Sequence, residues 1–424
     1  MLMVAETVSL GILALPSSLA ALGLILGILL LVFFGALATY TGFVIGQVRL
    51  RHEHIHSMAD AGALLFGRIG KEMVMAGQIV FVVFIMGAHL ISFGVALDAL
   101  IGPSHTICGV VLLFAGFLLS FILTIPRTLR HMSYQSIASF LSIIAAVVTT
   151  MIAVGIQRPS ASPSGALQVR LWPREDVSFA QAFNAVCNIV FAYAAHVAFF
   201  TFISELKDPR EFPKALAFLQ ISDTSMYMVT AVVVYIFAGD GVANPALNSA
   251  SDHWRRVAFG VALPTIVIAG VINGHIVVKW MYVRLLRDSK EDVMHQKTLK
   301  ARGIWIGLAF VFWLVAWLIS EVIPIFGDLI GLTGALFGSW FTFGLQGMLW
   351  LMMNYETDPK SWRGVGFRKR GGWTWGWRKG FLTVLNVCNV LMGAAIFVVG
   401  TTSSSMIIRE HAKVAGRPFN CKIG

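Results

Sequence analysis

The stretch "VSLGILALPSSLAALG", residues 8–23, decides the fold. It is apolar enough for a membrane helix. Yet Gly11 and Pro16 stand five positions apart inside it, with Ser9, Ser17 and Ser18 around them. Glycine and proline both weaken a helix interior. Backbone that leaves the helix at membrane depth is tolerated only where protein or a water-filled cavity surrounds it. The pattern therefore predicts a span interrupted at residues 11–16. Amides left free at the start of its outer half, at the positive end of a helix dipole, suit a carboxylate. Pro16 is expected in the first turn of that half, where its missing N–H costs nothing.

The rest of the chain is of the same kind. Its 424 residues are 57% hydrophobic and 12% charged, with a mean hydropathy of +0.78. The charged share is about half that of a soluble domain. Many runs reach the roughly 20 residues needed to cross a bilayer. Eleven spans are predicted, at 2–22, 24–48, 73–101, 106–125, 135–156, 179–204, 214–238, 256–283, 303–322, 325–353 and 380–401. A short surface helix is expected at 57–70. The first segment has neither the basic leader nor the cleavage site of a signal peptide.

Basic residues orient the spans. With the N-terminus in the cytosol, the loops 49–71, 126–134, 205–214, 284–302 and 354–379 face inward and hold 22 of the 32 Lys and Arg. The outer loops hold five, so the net charge of +11 is a topology signal. A nucleic-acid partner is not expected. The run "GFRKRGGWTWGWRKG" (366–380) reads as an interface girdle of basic and aromatic residues. Cys108, Cys187, Cys388 and Cys421 show no metal or CxxC spacing, so no disulfide framework is expected.

The sixth span, "FAQAFNAVCNIVFAYAAHVAFFTFISEL", carries Asn184, Asn188, Tyr193 and His196 in lipid-length sequence, with small residues around Tyr193. A second interruption is predicted near 191–196. The first and sixth spans are each followed by four more, the arrangement of two inverted five-helix repeats that each begin with a broken helix. The expected fold is all-α and polytopic. The first repeat covers 1–156 and an outer loop 157–178. The second covers 179–353, followed by a basic inner loop 354–379, an eleventh helix 380–401 and a tail 402–424.

At these residues the sequence resembles the amino acid/auxin permease family. "SLGILALPSSLAALGLILG" (9–27) is similar to its first-helix motif. "FAYAAHVAFFTFISELKDPREFPKAL" (191–216) is similar to its sixth helix and following loop, and "IPIFGDLIGLTGALFGSWFTFGLQGMLWL" (323–351) to its tenth-helix region. The Ser9 form of the first motif is most similar to the fungal neutral amino acid permeases of the methyltryptophan-resistance type. The resemblance covers essentially the whole chain. It implies a LeuT-type five-plus-five fold with about 11 helices. It also implies secondary active transport of neutral or aromatic amino acids by alternating access, with a proton as coupling ion and sodium as the alternative. No other cofactor is implied. The expected setting is the plasma membrane, or the vacuolar membrane, with lipid and the amino acid as partners. A non-transporting amino acid sensor of the same fold is the second reading. Family members usually carry a cytosolic tail before the first helix. Here Met1 falls inside the span, as in an incomplete gene model or a product without its regulatory tail.

The substrate carboxylate is expected on the amides near Ser9, Gly11, Ile12 and Leu13. The ammonium is expected on carbonyl oxygens near Phe191, Tyr193 and Ala195, with the side chain in a pocket between the first, third, sixth, eighth and tenth spans. Tyr193 is a candidate lid. Glu6 and His196 are candidates for coupling or gating, because ionisable groups inside membranes are functional candidates by default. Glu205, in the loop after the sixth span where the resemblance is strong, is a candidate inner-gate residue, and Asn273 in the eighth span is a further polar candidate. Asp223, Asp98, Glu321, Asp328 and Lys279 are the other charged groups in or beside spans. Ser133, Ser136, Ser139 and Ser142 recur every three residues on one face, read as close helix packing or as an inner exit path. Finally, His52-Glu53-His54-Ile55-His56 is a literal H-E-x-x-H. On a helix, His52 and His56 share a face as zinc ligands with Glu53 as base. A membrane metalloprotease is thus a remote competitor.

Overall fold

The computed structural model describes residues 2–102, 107–127, 132–157, 169–286, 299–355, 377–415, 419 and 421, without the side chains of 2, 5, 6, 132, 133, 414 and 415. Every regular element among the described residues is helical. The first span is α1 (Leu2–Thr7) and α2 (Gly11–Leu22); α3 (Leu24–Arg51), α4 (Met58–Ile101), α5 (Gly109–Thr124) and α6 (Met132–Gln157) follow. The sixth span is α7 (Phe179–Ala192) and α8 (His196–Glu205). Then come α9 (Phe212–Ala238), α10 (Asp252–Leu286), α11 (Leu299–Val322), α12 (Phe326–Thr333), α13 (Leu345–Tyr355), α14 (Trp377–Ala395) and α15 (Thr401–Ala415). Gly334–Gly344 and Ile396–Gly400 are π-wound and join α12 to α13 and α14 to α15.

Nine of the described spans are long and apolar enough to cross a membrane, and the shorter Gly11–Leu22 and Gly109–Thr124 accompany them. The protein is an all-α polytopic membrane protein. Within their most apolar stretches, Met58–Ile101, Phe179–Glu205 and Phe326–Tyr355 bury 78%, 72% and 72% of residues. For Leu299–Val322 and Trp377–Lys413 the share is 28% and 22%. The former build the centre and the latter face lipid. Without a hydrophobic drive between helices in lipid, close backbone approach supplies the packing. Added Cβ atoms at Gly331 and Gly334 would strike Asn184 and Cys187, so these glycines seat the tenth span on α7.

Three expectations are corrected. The first interruption spans 8–10, not 11–16. The Val8 amide closes α1 on Val4 O (3.1 Å) and the Leu13 amide opens α2 on Leu10 O (3.1 Å). Pro16 consequently lies in the second turn of α2. Gly11 serves a different need: a Cβ there would lie 2.9 Å from Ala192 Cα, so the glycine lets the two broken helices touch. The short helix expected at 57–70 is present at the start of α4, set off from the third span by a kink where Phe66 and Gly67 leave helical geometry and Gly67 takes φ 62°. It is not a surface helix, since Met58, Ala59 and Ala61 are buried.

Cysteine is the third correction. Cys108 and Cys421 form a disulfide across 313 residues of sequence. Spacing rules cannot find a pair that only the tertiary arrangement brings together. The bond ties the tail to the start of α5, and the Gly109 amide donates to Cys421 O (2.9 Å). Nearby, α15 docks on α7 of the sixth span and α12 of the tenth. Ser404 Oγ donates to Asn184 Oδ1 (2.7 Å), and His411 Nδ1 lies 2.7 Å from the buried Asp328 Oδ2.

Candidate substrate cavity

A cavity of about 780 Å³ lies against both interruptions. Thr7, Ser9, Leu10 and Gly11 line it from the first span, and Phe191, Ala192, Ala194 and Ala195 from the sixth. It continues along α8 and α10 towards Arg127, Glu205 and Lys279, which adjoin the loops 126–134, 205–214 and 284–302. Its walls are mostly apolar: Phe81, Val82 and Ile85 from α4, Phe202 from α8, Trp280 from α10 and Trp305 from α11. The size and lining are those of a small-molecule site, apolar with a few polar groups.

Polar groups enter from several helices. Ser9 Oγ, Ser136 Oγ and His275 Nε2 are buried side-chain atoms without a hydrogen-bond partner, and all three residues line the cavity. A buried polar atom left unpaired is costly, so three around one cavity mark places where a polar ligand gains by binding. His89 also lines the cavity, with Nδ1 directed at Ile266 O (2.9 Å). Ser139 Oγ lies 2.5 Å from Thr265 Oγ1, linking α6 to α10.

The sixth span breaks for local reasons. A reciprocal Ser178–Gln181 capping box starts α7. At its end the Tyr193 amide turns to Val190 O (3.3 Å) and the Ala194 amide to Phe191 O (3.0 Å). The Ala198 amide on Ala195 O (3.0 Å) starts α8. The Ala192 carbonyl accepts from Tyr227 Oη (3.0 Å) on α9. Each of these carbonyls retains a lone pair for a second donor.

Of the residues singled out in the sequence, Ser9, Gly11, Phe191, Ala195, Glu205 and Asn273 meet at the cavity. Asn273 Nδ2 donates to Ala269 O (2.9 Å). Ile12 and Leu13 are buried in the first turn of α2 and are not among its lining. Tyr193 points away from the cavity wall: its hydroxyl donates to Leu31 O (3.1 Å) and lies 3.3 Å from Thr224 Oγ1. His196 is fully buried, with Nε2 donating to Ala38 O (2.9 Å) and 3.0 Å from Thr41 Oγ1. Both side chains fasten the sixth span to α3 and α9. The Glu6 side chain and Ser133 side chain lie outside the described residues. The tenth span is absent from the lining, but the Phe337 and Phe341 rings pack at a tilt against the lining Phe81. The fifth span takes part instead, through Ser136 and Ser139. Their three-residue spacing held that alternative, whereas His89 and His275 carried no periodic signal.

The H-E-x-x-H stretch is not helical. His52 caps α3, a turn at 53–54 brings the Ile55 amide onto His52 O (3.1 Å), and 55–56 are irregular, so His52 and His56 do not share a helix face. His56 Nδ1 instead lies 3.3 Å from Ser204 Oγ. No cluster of three or more metal-ligating side chains occurs among the described residues.

Residues 1–406 match the family described as transmembrane amino acid transporter protein. The chain belongs to this family. The transporter is 34% identical to an N amino acid transport system protein of Neurospora crassa over 424 residues, covering 99% of this chain and 86% of that one. It is 28% identical to a transmembrane transporter of Gibberella moniliformis, over 97% of this chain and 84% of that one. A plant relative, amino acid transporter AVT1H of Arabidopsis thaliana, is 22% identical over 98% of this chain and 90% of its own. The transporter is thus an integral, multi-pass amino acid transporter and not an enzyme. The metalloprotease reading falls with that result.

Proposed function

We propose that the transporter carries neutral, apolar or aromatic amino acids by proton symport, with alternating access at the cavity between its broken helices. The observation that carries this reading is the meeting of both interruptions at one cavity whose remaining wall is aromatic and aliphatic. A zwitterion needs donors for its carboxylate and acceptors for its ammonium. The region around Ser9–Gly11 offers donors, and the carbonyls at 191–195 offer acceptors. Phe81, Ile85, Phe202 and Trp280 suit an apolar side chain. Two five-helix repeats, 1–156 and 179–353, each opening with its broken helix, are the proposed moving units.

We place the N-terminus in the cytosol at the plasma membrane. The excess of basic residues favours this orientation, and so does the disulfide, since such bonds persist on oxidising faces. In that orientation the cavity extends towards the cytosolic helix ends, as in an inward-facing state.

The test is uptake of a panel of labelled amino acids into proteoliposomes at two pH values, with and without sodium. Expected are uptake of apolar amino acids, stimulation by an acidic outside and collapse with a protonophore. Sodium dependence with protonophore insensitivity overturns the proton assignment. Preference for charged amino acids overturns the specificity. Binding without counterflow replaces transport by sensing.

A further inference from the structure

Asp223 is a carboxylate of the membrane interior that touches the first interruption. It lies on α9 and is 4% exposed. One carboxylate oxygen, Oδ2, accepts from Thr7 Oγ1 at 2.9 Å. The other, Oδ1, is buried without a hydrogen-bond partner. Thr7 is the last residue of α1, at the edge of the first interruption, and it lines the cavity. The carboxylate therefore touches the hinge of the first span without belonging to the cavity wall.

Its neighbours do not neutralise it. No ion pair involving Asp223 occurs among the described residues. α2 has no ionisable side chain. On α3, Arg49 is bound to Glu53 O, Arg51 to Met353 O, and Tyr40 lies against Asn386. Tyr134 of α6 is exposed. The Tyr193 hydroxyl lies 3.3 Å from Thr224 Oγ1, next to Asp223 in the chain, and Tyr227 lies one turn further along α9. Both are hydrogen-bonded elsewhere, to Leu31 O and Ala192 O. The Glu6 side chain, next to Thr7, is outside the described residues. An anion held by a single hydrogen bond in a low-dielectric interior carries a large desolvation cost, which protonation removes.

We propose that Asp223 is the proton-binding site that couples the proton gradient to the first broken helix. This rests on the proton-symport reading of the cavity above. A proton from the external side converts the carboxylate to the neutral acid, and its release to the internal side restores the carboxylate. The Thr7 hydroxyl carries one proton and has two acceptors in reach, Asp223 Oδ2 at 2.9 Å and Val4 O at 3.3 Å. Ionised Asp223 is the stronger acceptor and holds Thr7 on α9. Neutral Asp223 is a weaker one and releases Thr7 to the last turn of its own helix. The same stretch of α9 holds the second interruption. Thr224 Oγ1 lies 3.3 Å from the Tyr193 hydroxyl, and Tyr227, one turn beyond Asp223, donates to Ala192 O. The proton on Asp223 thereby decides whether one rigid helix clamps both interruptions or only one.

Asp223→Asn tests this, because the amide oxygen can still accept from Thr7 while the titrating group is gone. In proteoliposomes the wild-type protein is expected to accumulate substrate against its gradient when the outside is acidic. The variant is expected to lose that accumulation at least tenfold, and its counterflow to become independent of pH. Accumulation driven by the pH gradient in Asp223→Asn overturns the proposal. If that variant does not reconstitute, Thr7→Val decides. Losing one hydrogen bond to the ionised carboxylate should move the pH profile of uptake alkaline by about one unit. An unmoved profile overturns the proposal. Failure of the underlying symport reading is distinct, since it shows in the wild-type protein as uptake indifferent to pH and protonophore.

Discussion

Gly11→Ala adds one carbon at the point where the two broken helices come closest. The new Cβ would stand 2.9 Å from Ala192 Cα and 3.2 Å from Ala192 Cβ. Carbon pairs settle at about 3.5–4.0 Å, so α2 and α7 must part by roughly 0.6–1.1 Å. No rotamer change relieves this, because the first partner is backbone. Overpacking of this kind costs about 1–3 kcal/mol. If the contact is specific to this conformation, that cost displaces its population roughly 5- to 150-fold. The assay is initial uptake rate and thermal unfolding of detergent-purified protein, with Gly307→Ala as control. At Gly307 an added Cβ meets nothing within 4 Å. Gly11→Ala is expected to lose most uptake, and Gly11→Leu all of it, while Gly307→Ala behaves as wild type. Wild-type uptake and melting in Gly11→Ala would refute the close-approach argument.

Other perturbations have equally definite outcomes. Tyr227→Phe removes the donor to Ala192 O and should destabilise by about 0.5–1.5 kcal/mol, seen as lower thermal stability with expression retained. His196→Ala should lower stability more than it alters the pH profile of uptake, because the ring is fully buried against α3 rather than at the cavity; a lost pH response with unchanged melting would restore it as a coupling residue. Cys108→Ser and Cys421→Ser should each cost about 2–4 kcal/mol, and the double variant no more than either single one, since one bond is involved. Mobility on non-reducing gels and melting curves check this; additive losses would contradict it.

The spans were legible because a bilayer demands long apolar runs, and nothing else in a chain satisfies that demand. The sixth-span interruption was visible for a similar reason: Tyr193 and His196 in such a run require partners. What the sequence hides is where those partners are. Both residues are satisfied by carbonyls of α3, so they fasten rather than bind. Gly11 signals a special backbone need but not which one, and here the need is contact with Ala192 rather than unwinding. Ser136 shows the converse, a helix-packing pattern that also lines the cavity. Asp223 stood in the sequence as one acid among several. Burial separates it from the exposed Asp98, and the unpaired oxygen and the Thr7 contact separate it from Asp328, which faces His411.

The cross-link between Cys108 and Cys421 makes the position of Cys421 a fixed handle. An epitope inserted directly after Cys421 is tied through the bond to the residues that precede α5, and so shares their compartment. On intact cells, with the proposed orientation, an antibody reaches it without permeabilisation. In that same proposed orientation a fluorescent protein placed there would mature on the non-cytosolic side, and a reporter that tolerates oxidising surroundings is the appropriate choice for following this transporter.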